Sequence, residues 1–183
     1  MFKKEIMNDP ENLRYTKNNI APIYKVSREA VILLIGQAPG AKAEAKQEVF
    51  RDQSGKRLRD WLGLDEETFY SNKIAVLPMD FYFPGKGKTG DLPPRKGFAD
   101  KWHPQLIKMM PNIKITILMG KYAVKHYLNE NSVTSAVQNY RNYLPLYFPL
   151  IHPSPLNQRW ISKNLWFNDV LTHLKEIIKF LLK

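Results

Sequence analysis

The sequence predicts an α/β fold: a three-layer sandwich around a short, mostly parallel, four-stranded central sheet. Three observations carry that expectation. Four short runs are predominantly apolar, which is how strands buried on both faces read. Each run gives way to glycine or proline within two residues. Between and after the runs lie stretches whose apolar residues recur at helical spacing, so strands and helices alternate along the chain.

The elements follow in order. The first thirty residues are polar and mixed in charge and read as a helix and loop wrapping the domain. Residues 30–35, AVILLI, form the first strand and end in a tight turn, Gly36-Gln37-Ala38-Pro39-Gly40. Residues 54–62 read as a short amphipathic helix with Leu58, Trp61 and Leu62 on one face, stopped near Gly63. A second helix signal covers residues 65–69. Residues 73–78 give a second strand ending at Pro78, and residues 113–119 a third ended by Gly120. A helix is expected over 121–129. Residues 146–151 form the fourth strand, running into His152-Pro153-Ser154-Pro155. From about residue 160 to 182, Ile161, Leu165, Leu171, Leu174, Ile178 and Leu181 keep helical spacing and predict one long C-terminal helix. Residues 79–97 differ, with four prolines and glycines flanking Lys86 and Lys88 and three more, Pro93, Pro94 and Gly97, bracketing Arg95 and Lys96. They read as a long surface loop, the kind that is functional or mobile.

Length and composition narrow the function. A chain of 183 residues fits a single domain over 1–183, with 1–29 as its N-terminal wrapping segment. With 28 basic and 17 acidic residues the formal charge is +11, which points to a polyanionic partner. A 44% hydrophobic content excludes global disorder. There is no cysteine, which excludes disulfides, a thiol nucleophile, thiolate zinc sites and any cysteine-ligated iron-sulfur cluster. No run approaches the roughly 20 apolar residues of a membrane span. The opening MFKKEIMNDP lacks the apolar stretch of a secretory signal, so a cytoplasmic protein is expected. No histidine and carboxylate spacing suggests a metal site, and no GxxxxGK[ST] stretch is present.

In an open α/β sheet, ligands gather outside the carboxyl ends of the strands, and two such ends carry unusual sequence. In Gly36-Gln37-Ala38-Pro39-Gly40, glycines let backbone N–H groups approach a ligand while proline stiffens the turn. In His152-Pro153-Ser154-Pro155-Leu156-Asn157, two prolines bracket a serine, and histidine at a strand end can hydrogen-bond a developing anion. Taken singly, each also reads as ordinary structure: a strand-to-helix turn, and a histidine above a proline-rich loop.

As a pair, GQAPG after the first strand and HPSPLN after the last resemble the uracil-DNA glycosylase superfamily, whose members place such segments on opposite walls of one base pocket. A third segment, Val49-Phe50-Arg51-Asp52-Gln53-Ser54-Gly55-Lys56-Arg57-Leu58, resembles the PF-x-G-x-AG-x-x-L segment of its iron-sulfur branch. The resemblance spans about residue 32 to the C-terminal helix, in order. It implies a DNA glycosylase that flips uracil or another deaminated base out of DNA and hydrolyses its N-glycosidic bond, the first step of base excision repair. A non-catalytic nucleic-acid-binding or base-sensing module on the same fold is the alternative. An unrelated α/β enzyme acting on a small anion stands behind both.

The roles the resemblance implies can be placed residue by residue. His152 donates to the pyrimidine O2 as the base leaves. Gly36, Gln37, Ala38, Pro39 and Gly40 line the base pocket, with backbone N–H groups from Gln37 and Ala38, and Phe50 stacks on the base. Pro153 and Ser154 press on DNA phosphates, Leu156 is the wedge entering the duplex with Asn157 beside it, and Arg159, Lys86 and Lys96 are phosphate contacts.

Departures from the family pattern matter as much. Ala38 stands where the major branch has aspartate and the mismatch-specific branch asparagine, leaving Gln37, Glu44 or Asp52 to position the water. Of these, Gln37 best matches the glutamate of the iron-sulfur branch and is the expected catalytic partner of His152. Gly40 replaces the tyrosine that blocks the thymine methyl. The asparagine that reads the uracil edge has its nearest counterpart in Asn72, before the second strand; without such an amide the pocket could accept hypoxanthine or xanthine. The iron-sulfur branch needs four cysteines, so no cofactor is expected here, and a monomer is the default. His103, His126 and His173 read as structural.

Overall fold

The computed structural model describes residues 2–183. In chain order the elements are α1 (Phe2–Asn8), α2 (Leu13–Lys17), β1 (Ile32–Ile35), α3 (Ala41–Lys46), α4 (Gln53–Leu62), α5 (Glu66–Tyr70), β2 (Ile74–Val76), β3 (Lys86–Gly87) and β4 (Gly90–Asp91). There follow α6 (Phe98–Ile107), β5 (Ile115–Met119), α7 (Lys121–Leu128), α8 (Val133–Gln138), β6 (Tyr147–Leu150), α9 (Gln158–Lys163) and α10 (Phe167–Leu181). Helix ends obey local chemistry. The Asp52 carboxylate caps α4 by accepting from Gly55 N, Asp65 caps α5 and Ser132 caps α8, while Gly63 ends α4 at φ 67°.

The central sheet has the order β2-β1-β5-β6, and every neighbouring pair is parallel. Ile32 sits opposite Ile74 on one side and Ile115 on the other. Side chains on a strand alternate between faces, so each strand feeds two cores. Ile32, Leu34, Ile74, Val76, Ile115, Ile117, Met119, Phe148 and Leu150 face one layer, packed by Leu58, Trp61 and Leu62 of α4 and by Phe167, Val170, Leu174 and Ile178 of α10. Leu33, Ile35, Ala75, Leu77 and Leu118 face the other, packed by Ile6, Tyr15, Phe98, Trp102 and Leu106 together with Ala123 and Val124 of α7. The result is the α/β sandwich that the apolar runs predict, with all four strands parallel.

Two expectations need correction. The C-terminal helix is two helices, because Asn164 leaves the helical region at φ −123°, ψ 66° while its side-chain amide donates back to the Trp160 carbonyl at 2.7 Å. Leu165 is consequently exposed, not a core residue. Residues 79–97 are a surface loop only in part: residues 86–93 are exposed, but the ends are anchored. Met79, Asp80, Phe81 and Tyr82 are buried, the β3–β4 hairpin follows, and the chain then returns to its start. There Arg95 grips the fully buried Asp80 with Nε to Oδ2 at 2.7 Å and Nη2 to Oδ1 at 2.9 Å. Arg95 also donates to Asn12 Oδ1 and Glu11 O and stacks on Phe98 at 4.5 Å. The segment is therefore a strap pinned at both ends. Among the described residues, no helix is long and apolar enough to cross a membrane.

Candidate active site

All four parallel strands deliver their carboxyl ends to one cavity of about 420 Å3. Residues 36–40 come from β1, Pro78 follows β2, Lys121 and Tyr122 follow β5, and His152 follows β6. Val49, Phe50, Asp52 and Ser54 close one side, and Thr89, Gly90 and Asp91 of the strap close another.

The turn after β1 is held by backbone bonds that extend the β1–β2 ladder past the sheet: Met79 N donates to Gly36 O at 2.8 Å and Asp80 N to Gln37 O at 3.2 Å. Gly36 lies against Phe50 and Met119: a Cβ there would be in ordinary van der Waals contact with Phe50 Cζ and Met119 Cε, each at 3.7 Å. Pro39 and Gly36 are buried and Gln37, Ala38 and Gly40 half-buried, so the turn presents its backbone to the cavity. The Gln37 side-chain amide donates to Leu92 O at 3.4 Å, which ties it to the strap.

Phe50 owes its place to an unusual backbone. It adopts φ 54°, and its carbonyl accepts from Tyr70 Oη at 2.9 Å. That carbonyl lies 1.7 Å from where a Cβ of residue 55 would sit, so only glycine fits at position 55. The spacing of Phe50 and Gly55 thus reflects a direct steric requirement, and it leaves the phenyl ring on the wall beside Gly36.

His152 stands where β6 ends, with its Cβ 3.3 Å from where a Cβ of Gly120 would lie. The loop behind it is rigid: Asn157 Nδ2 donates to His152 O at 2.7 Å, Arg57 Nη1 to Ser154 O at 2.9 Å, and Leu156 N to Ser154 Oγ at 3.3 Å. Leu156 projects from it 87% exposed. Burial pulls the His152 imidazole below its ordinary pKa, against the opposing pull of the Asp52 and Asp91 charges, so at neutral pH the ring is uncharged. One layer back, fully buried His103 bridges Pro78 O at Nε2 (2.9 Å) and Tyr127 Oη at Nδ1 (2.6 Å). A carbonyl only accepts, so His103 carries its proton on Nε2 and fixes the Pro78 carbonyl at the cavity.

The structure brings together Gly36, Gln37, Ala38, Pro39, Gly40, Phe50, His152, Ser154, Leu156 and Asn157 as cavity-lining residues. Asn72 is a correction: it is exposed in the turn before β2, at the amino end of the sheet, whereas the cavity lies at the carboxyl end. Pro153 is buried and stiffens the loop that carries Ser154 and Leu156. Asn157 spends its amide on the His152 carbonyl. Lys96 and Arg159 are exposed, and Lys86 is exposed but paired with Asp91 Oδ1 at 2.5 Å. Asp52 lines the cavity and Glu44 does not. Thr89, Gly90, Asp91, Lys121 and Tyr122 are cavity residues that the motifs do not mark. The only sequence signal for the first three is a lone acidic residue within a Gly/Pro-rich basic stretch.

Comparison with known proteins agrees with this geometry. A protein from Methanosarcina acetivorans, solved by solution NMR and provisionally assigned as a uracil DNA glycosylase, superposes with a TM-score of 0.52 at 15% identity, over 88% of this chain and 99% of that one. At that identity the match speaks for the fold. Residues 24–175 match the sequence profile of the Uracil DNA glycosylase superfamily, an interval holding the GQAPG turn, Phe50, the strap and His152. With most of its length inside that match, the chain belongs to the uracil DNA glycosylase superfamily.

Proposed function

We propose that the protein is a monofunctional, metal-independent DNA glycosylase that extrudes uracil or a related deaminated base and hydrolyses its N-glycosidic bond, acting as a monomer in base excision repair. One observation carries the reading: the GQAPG turn, Phe50 and His152, far apart in sequence, line one cavity, with Leu156 projecting 87% exposed at its edge. The cavity falls within the roughly 300–1,000 Å3 of small-ligand sites, and family membership supports glycosylase chemistry on DNA.

Cleavage builds negative charge on the departing base and oxocarbenium character on the sugar. An uncharged imidazole N–H at His152, aimed at the base oxygen, stabilises the first of these as it develops. Backbone N–H groups of Gln37 and Ala38 add to the same side, and the Phe50 ring offers its face to the extruded base. Leu156 fills the space the base vacates. Gln37, engaged with the strap, serves to hold the pocket together more than to hold water.

The test is alkaline strand cleavage of labelled oligonucleotides carrying one uracil, hypoxanthine or xanthine, single-stranded and paired, with wild type and His152→Ala. Abasic-site formation by wild type that falls by roughly 100-fold or more in the variant is expected for loss of an electrostatic donor. Ala38, which brings no polar side chain to the turn, favours the second reading, a base-sensing module without hydrolysis. Salt-sensitive binding with no cleavage of any substrate would establish it instead.

A further inference from the structure

The turn after β1 brings no carboxylate to the cavity, since position 38 is alanine, yet two carboxylates line it from elsewhere, Asp52 and Asp91. They differ in what their oxygens already do. Asp52 Oδ1 accepts the Gly55 amide as the cap of α4, one turn before the residue that fixes Phe50. Asp91 has no such duty to the fold. Its Oδ1 faces Lys86, directly opposite it in the β3–β4 ladder. Its Oδ2 points the other way, 3.7 Å from where a Cβ of Gly40 would project, and accepts no hydrogen bond among the described residues. Gly40 lacks a side chain, and the Asp91 carboxylate occupies the space beside it.

The strap brings this carboxylate in from outside the sheet and holds it there. Its base is the buried Asp80–Arg95 pair, and its middle is held at Leu92, whose N donates to Gly85 O at 2.9 Å and whose O accepts from Gln37 Nε2 of the turn. A half-exposed carboxylate at the rim, rather than on the floor, meets the part of an extruded nucleotide nearest the DNA, which is the sugar.

We infer that Asp91 is a catalytic residue of the glycosylase reaction: the carboxylate that holds the attacking water and faces the cationic sugar. The inference rests on the proposed function above. In the step, the water oxygen bonds to C1′ as the C1′–N bond breaks and its electron pair leaves on the base. The water proton passes to Asp91 and then to solvent, and the departing anion is met by His152. A fixed negative charge beside the sugar acts mainly in the transition state, when the sugar becomes an oxocarbenium ion.

The decisive comparison uses Asp91→Asn and Asp52→Asn; asparagine caps a helix as well as aspartate does, so the second variant removes charge and leaves α4 intact. Single-turnover excision is measured on the base that wild type removes. Affinity is measured for duplexes carrying a neutral tetrahydrofuran abasic analogue or a cationic pyrrolidine analogue. Asp91→Asn should slow excision by about 100-fold or more, and it should lose tenfold or more in affinity for the pyrrolidine while binding the tetrahydrofuran as wild type does. Unchanged tetrahydrofuran binding also reports that the strap remains folded, which a merely structural role for Asp91 would not permit. Excision by Asp91→Asn within threefold of an active wild type overturns the assignment and leaves the glycosylase reading standing. Loss confined to Asp52→Asn overturns it in favour of Asp52. Absence of abasic sites with wild type on every substrate removes the glycosylase reading and this inference with it.

Discussion

His103 shows how a residue outside the cavity shapes it. Burial drives its imidazole down to about 4, against the hydrogen bond to Pro78 O, which favours the charged ring. The unfolded chain binds that proton near pH 6.5 and the folded chain does not until about pH 4, so stability is full above the unfolded value and falls as the pH drops through that interval. The lowered pKa of His152 adds a loss of the same sign. From the 6.5-to-4 shift, His103 alone removes about 3 kcal/mol by pH 4. Urea unfolding of wild type and His103→Gln from pH 7 to pH 4 checks this. The variant should start less stable, since the Pro78 and Tyr127 groups lose their partner, and lose less on acidification. A parallel pair of curves would show that His103 is not the residue responsible. Phe50 and Gly55 make the same point for geometry: one carbonyl and one missing Cβ fix an aromatic wall.

At the scale of elements, the strap is the part of this fold that its sequence conceals best. A stretch rich in proline, glycine and lysine reads as solvated, because apart from the exposed Leu92 its large apolar residues are gathered at the start, over residues 79–83, and its anchor is an ion pair between residues fifteen apart. Nothing in local periodicity reports that Asp80 and Arg95 meet. That pair predicts its own importance: Arg95→Met leaves the buried Asp80 charge uncompensated and should destabilise the protein by about 3–5 kcal/mol. Adding Asp80→Asn should recover part of that loss. Urea denaturation of both variants measures it, and equal stability of the single variant and wild type would refute the clamp. By contrast, all four central strands are legible, since runs such as AVILLI have to be buried on both faces. The GQAPG and HPSPLN ends are legible for the same reason: each interrupts such a run abruptly. Helix α6 hides its Phe98, Trp102 and Leu106 stripe behind Pro104, and α9 and α10 run together in the sequence because Asn164 breaks the backbone without disturbing the apolar spacing. Asn72 misleads because sequence proximity to β2 does not say which end of the strand faces the ligand.

For the whole molecule, strand polarity turns a net charge of +11 into a testable distribution. Parallel strands put the cavity, Lys86 on the strap and Arg159 just beyond Leu156 at the carboxyl end of the sheet, with Lys96 where the strap returns to α6. Lys73 and Lys114, equally exposed, precede β2 and β5 and so lie at the amino end. A strand of four or five residues at ~3.3 Å per residue separates the two ends by about 15 Å, beyond the Debye length of about 10 Å at 0.1 M salt. A phosphate backbone lying across the cavity should therefore feel the first group and not the second. Duplex affinity should fall linearly with log salt concentration, with a slope near −0.9 per phosphate neutralised. Replacing Lys86, Lys96 or Arg159 by glutamine should each lower the magnitude of that slope by about one. Lys73→Gln and Lys114→Gln should leave it unchanged. Equal effects from both groups would mean that the excess charge acts as a diffuse field, and that DNA does not approach from the end of the sheet where the cavity opens.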